Sequence, residues 1–310
     1  MYADDKVTAR ILGLVLVELV FYTGLHVVQM YRGKIFYNRY YWSYALKFNI
    51  PLIPHYLSQT VLNDSDRIMI ERMIGSDQAG IYSLAYSLAM ILSLVNTAIG
   101  QTLSPWIYQK IKGKKHSEIK RVAYTSLVLI AMISLFLIAF APEAVAIFAP
   151  SSYYEAIWVI PPITMSVYFV FSYDLFAKFA FYYEKTHAIM ISSVLGAVLN
   201  IVLNYIFINR FGYIAAGYTT LVCYMVYSIT HYCLMIKICE KYLDGDRPYS
   251  VRILMIISLS FLLLGFLLMA SYSNFIIRYV AIIVIAIVVV TKRKKVINII
   301  KELIDIKNAN

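Results

Sequence analysis

Apolar residues run through the chain in nine stretches of about 18–25, separated by short polar loops, at roughly 11–31, 46–64, 80–105, 121–141, 156–182, 188–208, 213–236, 252–271 and 275–291. A hydrocarbon core of about 30 Å needs about 20 helical residues at about 1.5 Å each. The runs are continuous rather than alternating, which disfavours a β-barrel, and backbone polar groups in lipid must then be satisfied within helices. The pattern predicts an all-α, polytopic transmembrane helical bundle of about nine spans. Pro51 and Pro54 break the second stretch, Pro105 closes the third, and Pro161 and Pro162 open the fifth. Beyond the last stretch, Val296, Ile299, Ile300 and Leu303 recur at helical spacing and predict a short amphipathic helix at the membrane surface.

Polar residues inside the spans mark the candidate sites. In the second span His55, Gln59, Asn63 and Arg67 follow at four-residue intervals, so they stack along one helix face. Four such groups facing lipid are costly, so this face should look at protein or a wet cavity. Interhelical hydrogen bonding, at about 0.6 kcal/mol per contact, is the other reading of the same stripe. The first span repeats the pattern with Glu18, Tyr22, His26 and Gln29. The third carries Ser93, Asn96, Thr97, Gly100, Gln101 and Ser104, and the sixth carries Ser193, Gly196, Asn200 and Asn204. Ser193 and Gly196 also suit close approach of two helices. Asp174 and Lys178 lie four apart in the fifth span, where each can neutralise the other. Alone, either charge costs about 2.5–3.5 kcal/mol at a helix centre. A structural lock and a gate on a transport path both fit the pair, and Lys178 can also snorkel toward the interface.

Composition agrees with a membrane protein: 61% of residues are apolar and 15% charged, against about 45–50% and about 25% in soluble domains. The formal charge of +11 does not point to nucleic acid, because basic residues of membrane proteins gather in cytoplasmic loops. With nine spans, 21 basic residues fall on one side and 6 on the other, Lys178 lying within a span. The rich side includes Lys110, Lys112, Lys114, Lys115, Lys120, Arg121 and the tail from Lys292. The positive-inside rule then puts the C-terminus in the cytoplasm and the N-terminus outside, in a bacterial cytoplasmic membrane. An outside start without a signal peptide suggests a chain that begins within something larger. Cys223, Cys233 and Cys239 have no metal-ligand or disulfide spacing and read as packing residues. There is no nucleophile elbow, Gly-rich phosphate loop, HExxH or His/Cys cluster, so no catalytic residue, metal or cofactor is expected.

Residues 51–108 carry a more specific pattern: Pro51-Leu52-Ile53-Pro54, then Asn63-Asp64-Ser65-Asp66-Arg67, then Ala79-Gly80-Ile81-Tyr82-Ser83-Leu84-Ala85-Tyr86, closed by Pro105-Trp106. This resembles the middle of the Wzx-type polysaccharide flippases of the multidrug/oligosaccharidyl-lipid/polysaccharide (MOP) exporter superfamily. The run Phe211-Gly212-Tyr213-Ile214-Ala215-Ala216-Gly217, after Asn200 and Asn204, looks like that family's Gly-x-x-Gly-Ala-Ala turn, with Ala215 where Gly is common. The resemblance implies two six-helix lobes around a cavity, two extra C-terminal helices and alternating access. On that plan residues 1–45 are the last helix of an otherwise missing N-terminal lobe with its linker. Residues 46–240 are the C-terminal lobe, and 241–310 the two extra helices and basic tail. About five leading helices are absent.

The function expected from the resemblance is flipping of polyprenyl-diphosphate-linked oligosaccharide for surface polysaccharide such as O-antigen or capsule. Its partners would be this lipid-linked substrate, membrane lipids, a missing N-terminal lobe and polysaccharide-assembly proteins. His55, Gln59, Asn63, Asn96, Gln101, Asn200 and Asn204 are the candidate sugar-contacting residues, since hydroxyl-rich heads need many neutral donors and acceptors. Asp174, Lys178, Glu18, Asp66 and Arg67 are candidates for gating or ion coupling, Asp66 and Arg67 as an outer-side clamp between lobes. A cation-coupled multidrug exporter of the same superfamily and an inactive truncated half remain open. A membrane polymerase or ligase is disfavoured by the short outer loops.

Overall fold

The computed structural model describes residues 6–243 and 245–291, with 301, 304 and 306. The described residues form helices and no strand. They divide into two units, Met1–Ile50 and Pro51–Asn310. In the first, α1 (Lys6–Gly33) is mostly apolar, with Glu18, His26 and Gln29 among its residues, and α2 (Arg39–Asn49) is short and rich in Tyr. Asn38 caps α2, its Oδ1 accepting from the Tyr40 and Tyr41 amides at 3.0 and 3.3 Å.

In the second unit the helices are α3 (Leu52–Met73), α4 (Ser76–Lys112), α5 (His116–Ala139), α6 (Ala141–Phe148), α7 (Ile160–Tyr182), α8 (Thr186–Phe211), α9 (Ile214–Tyr242), α10 (Val251–Ala270) and α11 (Phe275–Thr291). A 3-10 helix, Ser151–Trp158, leads into α7. The middle of the unit is α7, buried along nearly its whole length and packed on α4, α5, α9 and α10. A mostly apolar helix with one charge pair, Asp174 and Lys178, reads from sequence as either lipid-facing or enclosed; here neighbours enclose it. Outward faces carry Ile91, Leu94, Phe136, Leu195 and Leu263, which suits a lipid surround.

Seven helices among the described residues are long and apolar enough to cross a membrane. The nine expected spans differ from these at α3, whose 22 residues include Asp64, Asp66, Arg67, Glu71 and Arg72, and at α11, which is 17 residues long. Three boundaries also move. The expected span 46–64 is two elements: α2 ends at Asn49 and α3 opens only after Pro51, which has no N–H to continue the helical ladder, although Ile50 and Pro51 both keep right-handed helical dihedrals. Pro54 falls in the first turn of α3, where its missing N–H leaves no helical bond unmade. Pro105 does not close the third span; α4 continues to Lys112, because Trp106, Ile107 and Ile111 bury in the main core and hold the last turns. The expected span 156–182 is about one turn shorter at its start, where the 3-10 segment ends. The expected surface helix at 296–303 lies outside the described residues, Lys301 excepted.

Candidate transport path and polar seam

Four of the predicted residues meet in one cavity. Asn96 and Gln101 on α4, with Thr97, Gly100 and Ser104, face Asp174 and Lys178 on α7 across a space of about 290 Å³, which Val170, Phe171 and Tyr173 complete. Lys178 Nζ donates to Asp174 Oδ2 at 2.6 Å. The partners are unequally placed: the lysine side chain is 4% exposed and the aspartate 39%. Asn96 Nδ2 donates to the Val167 carbonyl at 2.8 Å, while its Oδ1 is buried without a partner. Ser104 Oγ donates to the Gly100 carbonyl at 2.7 Å. Gly100 lets the helices close on the charge pair, since a Cβ there would lie 3.1 Å from Asp174 Oδ2. The cavity thus offers amide and hydroxyl groups, one charge pair and an aromatic wall.

The polar face of α3 goes elsewhere. It forms a seam with α8 and α9 in the interior of the unit. At one end His55 Nδ1 lies 2.6 Å from Ser193 Oγ, which is 2.6 Å from Tyr227 Oη. Gln59 Nε2 donates to the same Tyr227 oxygen at 2.9 Å, and its Oε1 accepts from Tyr173 Oη at 3.4 Å. Since Tyr173 lines the cavity, Gln59 joins seam and cavity. Tyr224 and Tyr86 both donate to Asn63 Oδ1, at 3.0 and 3.1 Å. Arg67 lies over the Tyr86 ring, 4.4 Å from its centroid. Gly196 lets α8 approach α9, because a Cβ there would meet the Tyr227 ring at 3.3 Å.

At the other end stands Asp66, fully buried. Tyr82 Oη and Thr220 Oγ1 each donate to its Oδ2 at 2.6 Å, and Asn204 Nδ2 donates to its Oδ1 at 2.5 Å. Asn204 Oδ1 accepts from Thr219. Asn200 Oδ1 accepts from Ser65 Oγ at 2.8 Å and from Asn204 Nδ2 at 3.2 Å, while Asn200 Nδ2 is buried without a partner. Three helices, α4, α8 and α9, therefore converge through neutral side chains on a carboxyl group of α3.

The expected set thus separates into the cavity residues Asn96, Gln101, Asp174 and Lys178, and the seam residues His55, Gln59, Asn63, Asp66, Arg67, Asn200 and Asn204. Glu18 belongs to the first unit, where it is exposed on α1. The interhelical-bonding reading of the α3 stripe describes its contacts. Sequence reasoning missed Tyr82, Tyr173, Thr220, Tyr224, Tyr227 and His231. The last three were readable as a stripe at i, i+3 and i+7 on α9. His231 is buried with neither ring nitrogen hydrogen-bonded, between the Tyr173 and Tyr227 rings at 5.3 and 4.5 Å. Of the cysteines, Cys223 and Cys239 are buried, as packing residues should be, and Cys233 is exposed.

Residues 5–110 match the family of polysaccharide biosynthesis proteins. A protein of the Lsg locus of Haemophilus influenzae is 31% identical over 119 residues, which is 37% of this chain and 30% of that protein. A membrane protein of the same organism is 29% identical over 118 residues, covering 36% of this chain and 28% of its own length. Two solved structures share the fold. An outward-facing multidrug resistance MATE family transporter of the MOP superfamily has a TM-score of 0.52 at 24% identity, over 70% of this chain and 51% of that one. A MOP superfamily transporter from Pyrococcus furiosus has a TM-score of 0.50 at 23% identity, with the same coverage. The chain spans less than a third of the curated relatives in its matched region and about half of each solved transporter. Its fold is shared with these two transporters, and residues 5–110 match the family of polysaccharide biosynthesis proteins; both agree with the resemblance of residues 51–108 to the Wzx-type flippases.

Proposed function

We propose that this chain contributes one lobe of a flippase that carries polyprenyl-diphosphate-linked oligosaccharide across the bacterial cytoplasmic membrane for surface polysaccharide. The observation that carries the reading is the cavity of Asn96, Thr97, Gln101, Ser104, Asp174 and Lys178, a set of neutral donors and acceptors beside one charge pair within membrane-crossing helices. Hydroxyl groups of a sugar exchange water for such groups at little net cost. The seam residues His55, Gln59, Asn63, Asn200 and Asn204 set the position of the wall behind the cavity through Gln59 and Tyr173. Asp174 with Lys178 forms the gate. Asp66 is the ion-coupling residue: a buried carboxyl among neutral donors is where a bound cation or proton changes the packing of four helices at once. Arg67 and Glu18 take supporting places in gating. The remaining partners would be a complementary N-terminal lobe and polysaccharide-assembly proteins, with the N-terminus outside and the C-terminus cytoplasmic.

The test is complementation. The gene, with whatever complementary segment its locus encodes, is expressed in a strain lacking its own flippase, and surface polymer is measured. Alanine at Asn96 and Gln101 together should abolish polymer export while the protein stays in the membrane at its normal level. Normal export would sink the assignment. A multidrug exporter is the second reading, favoured by Phe171 and Tyr173 beside Asp174 in the same cavity. Drug resistance without polymer export would select it.

A further inference from the structure

Helix α2 is almost wholly exposed. None of its residues is buried, and apart from half-buried Phe48 all are exposed. Its residues sort cleanly by angle at about 100° per residue. Arg39, Ser43 and Lys47 follow at four-residue spacing along one stripe, and with Tyr40 and Tyr44 they line a groove of about 520 Å³. Phe48, Tyr41, Ala45, Trp42 and Leu46 sweep round the other side. Two polar groups on that apolar side are satisfied locally: Trp42 Nε1 donates to the Phe36 carbonyl at 3.2 Å, and Asn49 Nδ2 donates to the Ala45 carbonyl at 2.8 Å. Burying this side in an apolar medium therefore strands neither of these two donors.

We infer that α2 lies in the membrane interface and that the Arg39–Ser43–Lys47 stripe binds the phosphate of an anionic phospholipid headgroup. Two cations and a hydroxyl along one stripe complement a phosphodiester, and Lys34, just before the helix, adds to the positive field. The tyrosines at the edge of the stripe and Trp42 on the apolar side are the residue types that settle at the headgroup boundary. At 11 residues α2 is too short to cross a bilayer, so lying along it is the arrangement that covers the apolar side.

The experiment uses the full chain in nanodiscs of equal parts phosphatidylglycerol and phosphatidylcholine. In one preparation only the glycerol lipid carries brominated tails, and in the other only the choline lipid does. The Trp42 signal is the difference between the wild-type chain and the Trp42→Phe variant. Quenching of that signal should be at least about twofold larger when the anionic lipid carries bromine. The double change Arg39→Gln with Lys47→Gln should equalise the two, whereas Arg39→Lys with Lys47→Arg should keep the difference. Equal quenching in the wild type would overturn headgroup selection. No quenching from either lipid would place another protein surface or water over α2 and overturn the interfacial position. Loss of the difference on adding inorganic phosphate, but not chloride at equal ionic strength, would mean that the stripe takes a soluble anion instead.

Discussion

The Asp174–Lys178 pair is an unequal partnership, and the inequality sets what each residue can be asked to do. Lys178 is almost sealed while Asp174 is partly open to the cavity. Removing the aspartate strands a buried ammonium, and breaking a buried pair in this way costs about 3–5 kcal/mol. Removing the lysine leaves a carboxylate with access to water, where loss of the pair costs about 1 kcal/mol or less. Asp174→Ala should therefore lower the thermal midpoint of the purified chain clearly more than Lys178→Gln does. Equal losses would contradict the placement. Gly100→Ala acts on the same pair sterically, since its Cβ would sit 3.1 Å from Asp174 Oδ2. It should reduce polymer export with little change in protein level. At Asp66, Ala strands the donors of Tyr82, Thr220 and Asn204, at about 1–3 kcal/mol each. Asp66→Asn keeps the shape and loses the charge, so it should keep most of the stability and lose any response of export to sodium or proton gradients. An unchanged response would remove Asp66 from ion coupling.

Elements depend on where they are pinned as much as on what they are made of. The Glu143 carboxylate of α6 accepts from Arg278 and, at 2.7 Å, from Tyr279 Oη, both on α11. Tyr272 Oη donates to the Ile138 carbonyl at 2.5 Å at the end of α5. These contacts fasten the α10–α11 turn to the rest of the unit. Arg278 is buried, so Glu143→Ala leaves an uncompensated guanidinium and frees that turn. Trypsin should then cut after Arg278 in the variant at concentrations that spare the wild type; equal protection would show that apolar packing alone holds α11. The helices themselves were readable from apolar runs, and the α2–α3 break from Pro51. Pro105 misled because a proline predicts local strain, whereas the fate of α4 was decided by Trp106, Ile107 and Ile111 finding the core. The α3 stripe was legible as polar spacing, but its partners on α8 and α9 lie more than 130 residues away, and no local pattern pairs them. Asn96 and Gln101 were separable from His55 and Asn200 only once helices were packed, because both groups are neutral amides or rings on apolar helices.

Taken as a whole, the molecule can sit in the membrane in one of two senses, and its loops choose between them. The α4–α5 turn and the helix ends beside it carry Lys110, Lys112, Lys114, Lys115, Lys120 and Arg121, while the 3-10 segment Ser151–Trp158 at the other end of α5 and α6 has no basic residue and contains Glu155. Tyr213 in the α8–α9 turn donates to Glu155 Oε2 at 2.6 Å, which places that turn at the same end. Burial and the adjoining carboxylate both raise the Tyr213 phenol above its ordinary range, so the bond persists across physiological pH. Positive charge holds loops on the cytoplasmic side during insertion, whereas acidic residues have little say. On a background with Cys223, Cys233 and Cys239 replaced by Ala, Ser152→Cys should react with a membrane-impermeant maleimide in intact cells. Lys112→Cys should react only after the membrane is opened. The reverse pattern would invert the second unit and turn the proposed direction of the flippase lobe around with it.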